Sequence, residues 1–385
     1  MSGDLTTVHN LCIRKNLSFA TFRLPRQSVL TTCIQTSPGT IRWNSIHELS
    51  MKKGFIMAPF DIRNGKTYIH IEPDIIIIGD RTRKTTINRI NMLPGHRLPE
   101  WNLNEPVVTG REEYIEQVRT IKNYISTGYF QKAVLSRIAV IKGNFIPEIT
   151  GIFLAVCRNY PNAFVYLFKC DNDFWLGASP EPLFRLSDGI ISTVSLAGTR
   201  PLAEENMNLN NWTVKEVLEQ EHVTRYIHDT LREFQIRNYR VTSPYVREAG
   251  DLVHLRTDFS FRFEQLSGRI PEFLDALHPT PAVAGQPKED AISFIKQIEP
   301  HYREYYTGFM GPVHADGAID LFVNLRCMKI TPDYLSLFVG GGITLESVPE
   351  DEWDETEWKV QSLLNIIQSF SGQQNEKGTY QTTNR

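Results

Sequence analysis

The clearest hydrophobic pattern lies near the C-terminus, over residues 352–370. Its helical face is formed by Glu352, Glu355, Lys359, Leu363, Ile366 and Phe370. This spacing predicts a helix with a charged trio on the stripe that should face inward. Buried charges persist when they are paired or bound to a metal, so the trio indicates a site for a divalent cation and an anionic ligand. From spacing alone, a solvated acidic helix start explains the same residues equally well.

Short apolar runs bounded by turn residues predict that residues 1–80 are mostly β. The predicted strands are Leu17–Leu24, Gly54–Phe60, Thr67–Ile71 and Ile75–Ile78. Residues 82–108 carry basic residues and prolines with little periodicity, so we predict a long loop there. Helical spacing then predicts a helix over Arg111–Ser126, with Gly128 just beyond its end.

The next predicted strand, Lys132–Val140, carries the first chemical candidate. A period of two places Lys132 on a largely apolar face with Val134, Ser136 and Ile138. Burial disfavours the charged form of a lysine, which suits it to accept a proton. The commoner alternative is a lysine at the start of a strand whose ammonium group extends to solvent.

A predicted helix over Ile146–Asn159 precedes a predicted antiparallel β-meander. Its strands are Phe164–Cys170, Phe174–Ala178, Pro182–Leu186 and Ile190–Leu196. Pro180 and Pro182 fix the backbone on both sides of Glu181, which would aim one carboxylate at the end of the sheet. An exposed turn is the ordinary alternative. Gly198, which follows the last strand, allows a ligand to approach the backbone closely.

The segment Val214–Phe234 predicts a long amphipathic helix with Glu221 on its apolar stripe. A lone carboxylate is costly there, so Glu221 should have a cation or a hydrogen-bond partner. Strands are predicted around Tyr239–Val246 and Val253–Phe263. The second contains His254, and a single histidine in such a strand is more often a hydrogen-bonded core residue than a catalyst.

The last third of the chain predicts a rigid loop over His278–Gly285 and then a helix that begins near Pro287. The strands Leu321–Ile330 and Tyr334–Val339 predict a hairpin. Arg326 lies within the first of these strands, where an arginine suits bidentate binding of a carboxylate, although a plain surface arginine is commoner.

Composition limits the class of protein. The 385 residues are 41% hydrophobic and 22% charged, with a net charge of −3, so the chain offers no general attraction to nucleic acid or to an anionic membrane. Its five scattered cysteines have no CxxC spacing and indicate neither a disulfide framework nor a zinc site. We see no export signal, and Ile75–Ile78 is too short to span a bilayer. A cytoplasmic location fits best.

Several motifs occur together in one order along the chain. They are KAVLSR with Lys132, LGASPEPLFR with Glu181, LAGTR, Glu221-His222, LHPTPAVAG, LRCMK with Arg326, VGGGI and EWDETEWK. This set resembles the chorismate-utilising enzymes over residues 110–370. The resemblance implies a single α+β domain over residues 1–370, in which large antiparallel sheets pack face to face with helices outside. Residues 1–108 would be a divergent N-terminal part of that domain, and we expect 371–385 to be a disordered tail.

The resemblance also implies a ligand set. Glu221 and Glu355 would bind Mg²⁺, with Glu352 in support. Arg326, Lys359 and the amides of Gly340 and Gly342 would bind the carboxylates of chorismate. The implied pocket contacts are Gly198, Thr199, His254, Ala282 and Tyr306. One departure stands out, because many relatives carry an acidic residue three positions before the Glu221 equivalent, where this chain has Leu218. Glu219 or a water would then substitute, or metal binding would be weaker.

Within the resembled family, Lys132 implies activation of water rather than ammonia, and Glu181 implies an acid that protonates the departing C4 hydroxyl. The expected activity is that of an isochorismate synthase, without a glutamine amidotransferase subunit and in a monomer. Ala197 in LAGTR counts against an aminodeoxychorismate synthase, and Ala282 counts against a salicylate synthase. A salicylate synthase, an anthranilate synthase component I-like enzyme and a non-catalytic relative remain the alternatives. Both menaquinone and siderophore biosynthesis remain open as pathways.

Overall fold

Two large antiparallel sheets form the centre of the protein in a computed structural model that describes residues 3–49, 52–62, 66–97, 100–101, 104–249 and 252–371. The helices are α1 (Gly3–Arg14), α2 (Lys84–Met92), α3 (Arg111–Ser126), α4 (Ile149–Asn159), α5 (Val214–Glu233), α6 (Ile270–Leu277), α7 (Lys288–Ile298) and α8 (Pro349–Ser371). Apart from Ser371, the tail predicted to be disordered lies outside the described residues.

The strands alternate between the two sheets along the chain. They are β1 (Ser18–Arg23), β2 (Thr31–Gln35), β3 (Ile41–Trp43), β4 (Gly54–Ala58), β5 (Tyr68–Ile71), β6 (Ile75–Ile78), β7 (Lys132–Lys142), β8 (Phe164–Cys170), β9 (Asp173–Ser179), β10 (Pro182–Ser187), β11 (Ile190–Pro201), β12 (Tyr239–Val241), β13 (Tyr245–Ala249), β14 (Leu252–Arg262), β15 (Gly285–Gln286), β16 (Phe309–Val313), β17 (Ile319–Val323), β18 (Cys327–Ile330) and β19 (Tyr334–Ile343). The first sheet has the order β15-β7-β19-β18-β9-β8-β1-β2-β6. The second has the order β12-β14-β11-β10-β17-β16-β4-β5-β3, and β13 pairs with β14.

The sheets face each other across an aromatic core. Phe22 and Phe164 of the first sheet contact Phe55 and Phe322 of the second, and the rings of Phe164 and Phe322 stack with centroids 4.3 Å apart. Side chains of α1, α4 and α8 pack with the outer face of the first sheet, and those of α5 and α6 with the second. The α+β architecture predicted from the sequence is therefore confirmed.

The N-terminal prediction was wrong in two places. Residues 82–108, which we predicted to be a loop, contain α2, in which Ile90 is the one fully buried side chain. Helix α1 was also missed, although Leu5, Val8, Leu11 and Cys12 recur at helical spacing and are buried. The prediction of a mostly β region overlooked this period.

The predicted meander is divided between the sheets. Strands β8 and β9 form a hairpin in the first sheet, whereas β10 and β11 form one in the second. The predicted strand over Leu321–Ile330 is likewise divided, because β17 belongs to the second sheet and β18 to the first. The chain thus crosses between the sheets at Pro180–Glu181 and again at Asn324–Arg326.

Candidate active site

The two crossovers lie side by side and form one wall of a pocket. Val323 donates its backbone N–H to the carbonyl of Glu181 at 3.0 Å, and the Ser179 hydroxyl donates to the carbonyl of Val323 at 2.5 Å. Arg326 turns the second crossover with a left-handed φ of +47°. Both Glu181 and Arg326 therefore lie where the two sheets meet, and not in the interior of a strand.

Pro180 and Glu181 of the first crossover and Leu325 and Arg326 of the second line this pocket. The residues inferred from the sequence that line it are Glu181, Gly198, Thr199, His254, Ala282, Tyr306, Arg326, Gly340, Gly342, Glu355 and Lys359. They come from both sheets, from the loop before β15 and from α8. Residues separated by up to 178 positions in the sequence therefore meet at one site.

Glu181 is a buried carboxyl group in this pocket, with 3% of its surface exposed. Burial raises the pKa of Glu181 to about 8, although the positive charges of Lys132 and Arg256 oppose the shift. The exposed turn considered for this segment is therefore wrong. A carboxylic acid that stays protonated at neutral pH is suited to donate a proton.

Lys132 begins β7 and is fully buried, so the alternative of a solvent-exposed ammonium group is wrong. Its Nζ donates to Oε1 of Glu219 at 3.0 Å. Val134, on the same face of β7, lines the pocket. Although burial opposes ionisation, Lys132 and Lys215 hold the pKa of Glu219 below its usual value.

The glycine-rich end of β19 provides the space for these charged groups. A Cβ on Gly342 would lie 2.3 Å from Oε1 of Glu219 and 2.8 Å from Cε of Lys132. Any larger residue would displace the pair. Gly198 contacts the same pair through its backbone: its φ is +71°, and its N–H donates to Oε2 of Glu219 at 3.2 Å.

His254 connects the backbone of Gly198 to the side chain of Arg326. Burial, reinforced by the charge of Arg326, lowers the pKa of His254 to about 3, so the ring is neutral. Its Nδ1 lies 2.9 Å from the carbonyl of Gly198, and its Nε2 lies 3.0 Å from Nη2 of Arg326. Because the guanidinium can only donate, Nε2 accepts and Nδ1–H donates. His254 thus holds both Arg326 and Gly198 in position.

The acidic helix predicted near the C-terminus is α8, and its charged trio does face inward. Lys359 Nζ donates to Oε1 of Glu355 at 2.7 Å and to the carbonyl of Gly340 at 2.8 Å. Glu352 is 1% exposed, and burial together with Glu355 raises its pKa to about 7 despite an ion pair with Lys215. The solvated helix start is therefore wrong for Glu352, Glu355 and Lys359.

The assignment of Glu221 to the metal site is wrong. Its side chain is 54% exposed, and its carboxylate pairs with Arg225 at 3.4 Å. Two residues along a helix correspond to a rotation of about 200°, so Glu221 points away when Glu219 faces the pocket. Gln220, Val223, Ile227 and Leu231 form the buried stripe of α5.

A signal in the sequence would have found Glu219. The resembled family places an acidic residue three positions before its metal-binding glutamate. Counted from Glu219, that residue would be Glu216, so a ligand at Glu219 would remove the departure noted at Leu218. Glu216 Oε2 accepts the backbone N–H of Thr213 at 3.0 Å and Oε1 accepts from Arg200 at 3.0 Å, which secures the start of α5 beside the site.

The carboxylates fit a hard divalent cation by chemistry. Glu219 contacts the backbone at Gly342, and Glu352 and Glu355 approach Gly341 from α8. Such oxygen donors are the ligands that Mg²⁺ prefers. Among the described residues, however, no group of three or more acidic, histidine or cysteine side chains is already gathered in metal-binding geometry. Lys215 lies between Glu352 and Glu355.

Comparison with known proteins identifies the family. The sequence profile described as "Chorismate binding enzyme" matches residues 71–368, which is more than half of the chain. The chain belongs to the chorismate-binding enzyme family. This membership agrees with the resemblance seen in the motifs.

Individual family members show the extent of the similarity. The chain is 30% identical over 250 residues to the isochorismate synthase EntC of Escherichia coli, and this match covers 63% of each chain. It is 28% identical over 266 residues to anthranilate synthase component 1 of Saccharolobus solfataricus, covering 67% of this chain and 62% of that protein. The chain thus matches less than two thirds of the length of these relatives.

A solved structure shows the same fold. The protein assigned as the 2,3-dihydroxybenzoate-specific isochorismate synthase DhbC of Bacillus anthracis superposes with a TM-score of 0.73 at 23% identity. The superposition covers 94% of this chain and 99% of DhbC. In the described part of the chain, no helix has the length and apolar character needed to cross a membrane.

Proposed function

We propose that the protein is an isochorismate synthase, which adds water at C2 of chorismate and removes the C4 hydroxyl group. The observation that carries the proposal is one buried acid, Glu181, in the same pocket as Arg326 and Lys359, together with one buried amine, Lys132, directly behind the pocket residue Gly342. An acid and a base are what a substitution of hydroxide by water requires, and paired cations suit a substrate with two carboxylates.

Glu181 is the proposed general acid. A hydroxide leaving group is poor unless it receives a proton as the bond breaks, and Glu181 is protonated at neutral pH because burial raises its pKa to about 8. The backbone of Glu181 is fixed at the crossover, because its carbonyl accepts a hydrogen bond from the N–H of Val323. The proton donor is therefore held on a rigid part of the fold.

Lys132 is the proposed general base for water. Its ammonium group is paired with Glu219 at 3.0 Å, so the amine must give up a proton and loosen this pair before it can accept one from water. Glu219 is also a proposed metal ligand together with Glu355, with Glu352 in support. When bound there, Mg²⁺ would supply positive charge next to a substrate carboxylate.

Arg326, Lys359 and the amides at Gly340 and Gly342 are the proposed carboxylate binders. Lys359 is engaged by Glu355, so a substrate carboxylate would compete with that carboxylate for the ammonium group. Thr199, Tyr306 and Ala282 line the remaining pocket, and the ring of Tyr306 stacks on Phe338 with centroids 5.5 Å apart. These groups would orient the ring of chorismate.

Two alternatives within the family carry distinct products. A salicylate synthase would go on to eliminate pyruvate, and an anthranilate synthase component I-like enzyme would use ammonia. Lys132 favours water over ammonia, and Ala282 counts against a salicylate synthase. We further propose that the enzyme acts as a cytoplasmic monomer without a glutamine amidotransferase subunit, in menaquinone or siderophore biosynthesis.

The test is a product analysis. The purified chain is incubated with chorismate, Mg²⁺ and ammonia, and the products are separated by chromatography. We expect isochorismate as the main product, and a Lys132→Ala variant should form far less of it. Anthranilate or an amino-chorismate as the main product would overturn the proposal, and salicylate with pyruvate would favour the first alternative.

A further inference from the structure

Three carboxylates and three lysines alternate around the glycine-rich end of β19. Two of the lysines already have a place in the proposed reaction, Lys132 as the base and Lys359 as a carboxylate binder. Lys132 pairs with Glu219, and Lys359 pairs with Glu355. The third, Lys215, has no place in the proposed reaction. Its Nζ lies 2.6 Å from Oε1 of Glu352 and 3.9 Å from Oε2 of Glu355.

The position of Lys215 is that of a bridging cation. It stands one helical turn before Glu219 on α5, yet its ammonium group reaches across to two carboxylates of α8. A divalent cation between Glu219 and Glu355 would join the same two helices. Glu355 is common to both, and Glu352 is the proposed supporting ligand, so the ammonium group and the metal compete for these two carboxylates.

Without a nearby cation, the burial of these carboxylates would destabilise the folded protein. Glu352 is almost completely buried, and an unpaired carboxylate in such a position is strongly destabilising. The ammonium group of Lys215 can move from these carboxylates into solvent. Its side chain is 22% exposed, and a lysine can extend its ammonium group to water while its aliphatic part stays packed.

We propose that Lys215 is an internal counter-ion that holds the metal site in the metal-free protein, and that it must withdraw when Mg²⁺ binds. This inference rests on the proposed metal ligands Glu219, Glu352 and Glu355. It gives Lys215 two opposite effects. It stabilises the metal-free fold by joining α5 to α8, and it weakens the apparent affinity for Mg²⁺ by competing for its ligands.

The strength of the competition depends on the fraction of molecules in which the ammonium group of Lys215 occupies the site. The apparent dissociation constant is the intrinsic one divided by the fraction of molecules that can accept the metal. If the ammonium group occupies the site in about nine molecules of ten, removing it should tighten Mg²⁺ binding about tenfold.

The first experiment compares Lys215→Met with the wild type and with Lys66→Met. Lys66 is a matched control, because its ammonium group also bridges two carboxylates, at 2.5 Å from Asp173 and 2.9 Å from Glu304, and 18% of its side chain is exposed. Mg²⁺ binding is measured by titration calorimetry without chorismate, and thermal unfolding is measured with and without Mg²⁺.

We expect Lys215→Met to bind Mg²⁺ about tenfold more tightly, to unfold at a lower temperature without metal, and to recover most of that loss with Mg²⁺. Lys66→Met should lose stability with no recovery beyond that of the wild type. Unchanged or weaker Mg²⁺ binding by Lys215→Met, or a stability loss that Mg²⁺ does not restore, would overturn the inference. Lys215→Arg, which keeps the charge, should not bind Mg²⁺ more tightly than the wild type.

The second experiment needs no variant and so remains informative if Lys215→Met fails to fold. Wild-type protein is acylated briefly with an amine-reactive reagent, with and without saturating Mg²⁺, and each lysine is quantified by mass spectrometry. Labelling of Lys215 should rise several-fold with Mg²⁺ while that of Lys66 stays constant. Constant or reduced labelling of Lys215 contradicts the withdrawal. The product analysis with chorismate is independent, so failure of the inference and failure of the proposed function are told apart.

Discussion

Glu181 carries a proton at neutral pH because the fold removes its carboxyl group from water. Lys132 and Arg256 favour ionisation, but burial outweighs them and brings the pKa to about 8. The ammonium group of Lys132 is paired with Glu219. Of the two carboxyl groups next to Lys132, that of Glu181 is protonated and that of Glu219 is ionised. Glu181 can therefore act as an acid, whereas Glu219 is a counter-ion for Lys132.

The first prediction concerns pH. Activity that needs protonated Glu181 should fall as pH rises through about 8, and the alkaline limb of kcat/KM should report this pKa. The folded pKa exceeds the ordinary value of 4.5, so between these values the folded state holds one proton more than the unfolded state and stability falls as pH rises. Glu181→Gln should lose that part of the pH dependence.

The measurement is denaturant unfolding of wild type and Glu181→Gln between pH 5 and pH 9, with the pH-rate profile of the wild type beside it. The stability of the variant relative to the wild type should increase toward high pH. A difference that is constant with pH would show that Glu181 titrates normally.

The second prediction concerns the acid and the base together. Lys132→Ala and Glu181→Gln should each lower kcat by about 10²–10⁴, the usual contribution of one proton-transfer group. KM for chorismate should change much less, because Arg326 and Lys359 hold the carboxylates. The effects in the double variant should be less than additive, since water attack and hydroxide departure belong to one substitution. Near-normal kcat in Lys132→Ala would mean that water is activated elsewhere.

At the scale of single elements, the rotation of α5 decides which glutamate belongs to the site. Glu219 and Glu221 lie on opposite sides of the helix. Glu219 pairs with the buried Lys132, whereas Glu221 pairs with Arg225 at the surface. They therefore form a matched pair for a test of the metal assignment.

The third prediction is that Glu219→Gln weakens Mg²⁺ binding at least tenfold, whereas Glu221→Gln leaves it unchanged. Replacing even an outer partner of a metal ligand usually costs about 10–100-fold in affinity, so a direct ligand should cost no less. Mg²⁺ titration of both variants checks this, with circular dichroism to confirm the fold. Loss of binding in Glu221→Gln instead would restore the original assignment and refute the corrected one.

The sequence predicts elements well where their pattern is local. Helices α3, α5 and α8 begin and end within a few residues of the predicted positions, because each has an apolar stripe of its own. Missing α1 was an avoidable error, since Leu5, Val8 and Leu11 carry the helical period. In α5 the predicted apolar stripe included Glu221, whereas the buried residues are Gln220, Val223, Ile227, Thr230 and Leu231, and this error carried Glu221 into the site.

What the sequence does not determine is which sheet a strand joins. Strands β9 and β10 read as consecutive members of one meander, because turn length and apolar pattern are the same within a sheet and between two sheets. The crossover at Pro180–Glu181 follows from the packing of Phe164 on Phe322, which lies outside any local window. The contacts of Lys215 with α8 are equally non-local and were not predicted.

At the scale of the whole molecule, the N-terminal part is the least recognisable in sequence but belongs to both sheets. It provides β1, β2 and β6 to the first sheet and β3, β4 and β5 to the second. Strand β1 pairs with β8, with Phe22 opposite Tyr166, and β4 pairs with β16, with Met57 opposite Met310. These strands complete the core between the sheets.

The last prediction follows from this arrangement. A fragment of residues 110–385, which contains every proposed catalytic and metal-binding residue, should be unable to fold. It would expose the edges of β8 and β16 and uncover the aromatic core between the sheets, and such unpaired hydrophobic edges aggregate. We expect aggregation, no cooperative thermal transition and no conversion of chorismate. A matched control that lacks residues 372–385 should unfold cooperatively and keep its activity, because both sheets and all the pocket residues lie within residues 3–371. An active, cooperatively folding fragment of residues 110–385 would show that the core of the site is stable without the N-terminal strands.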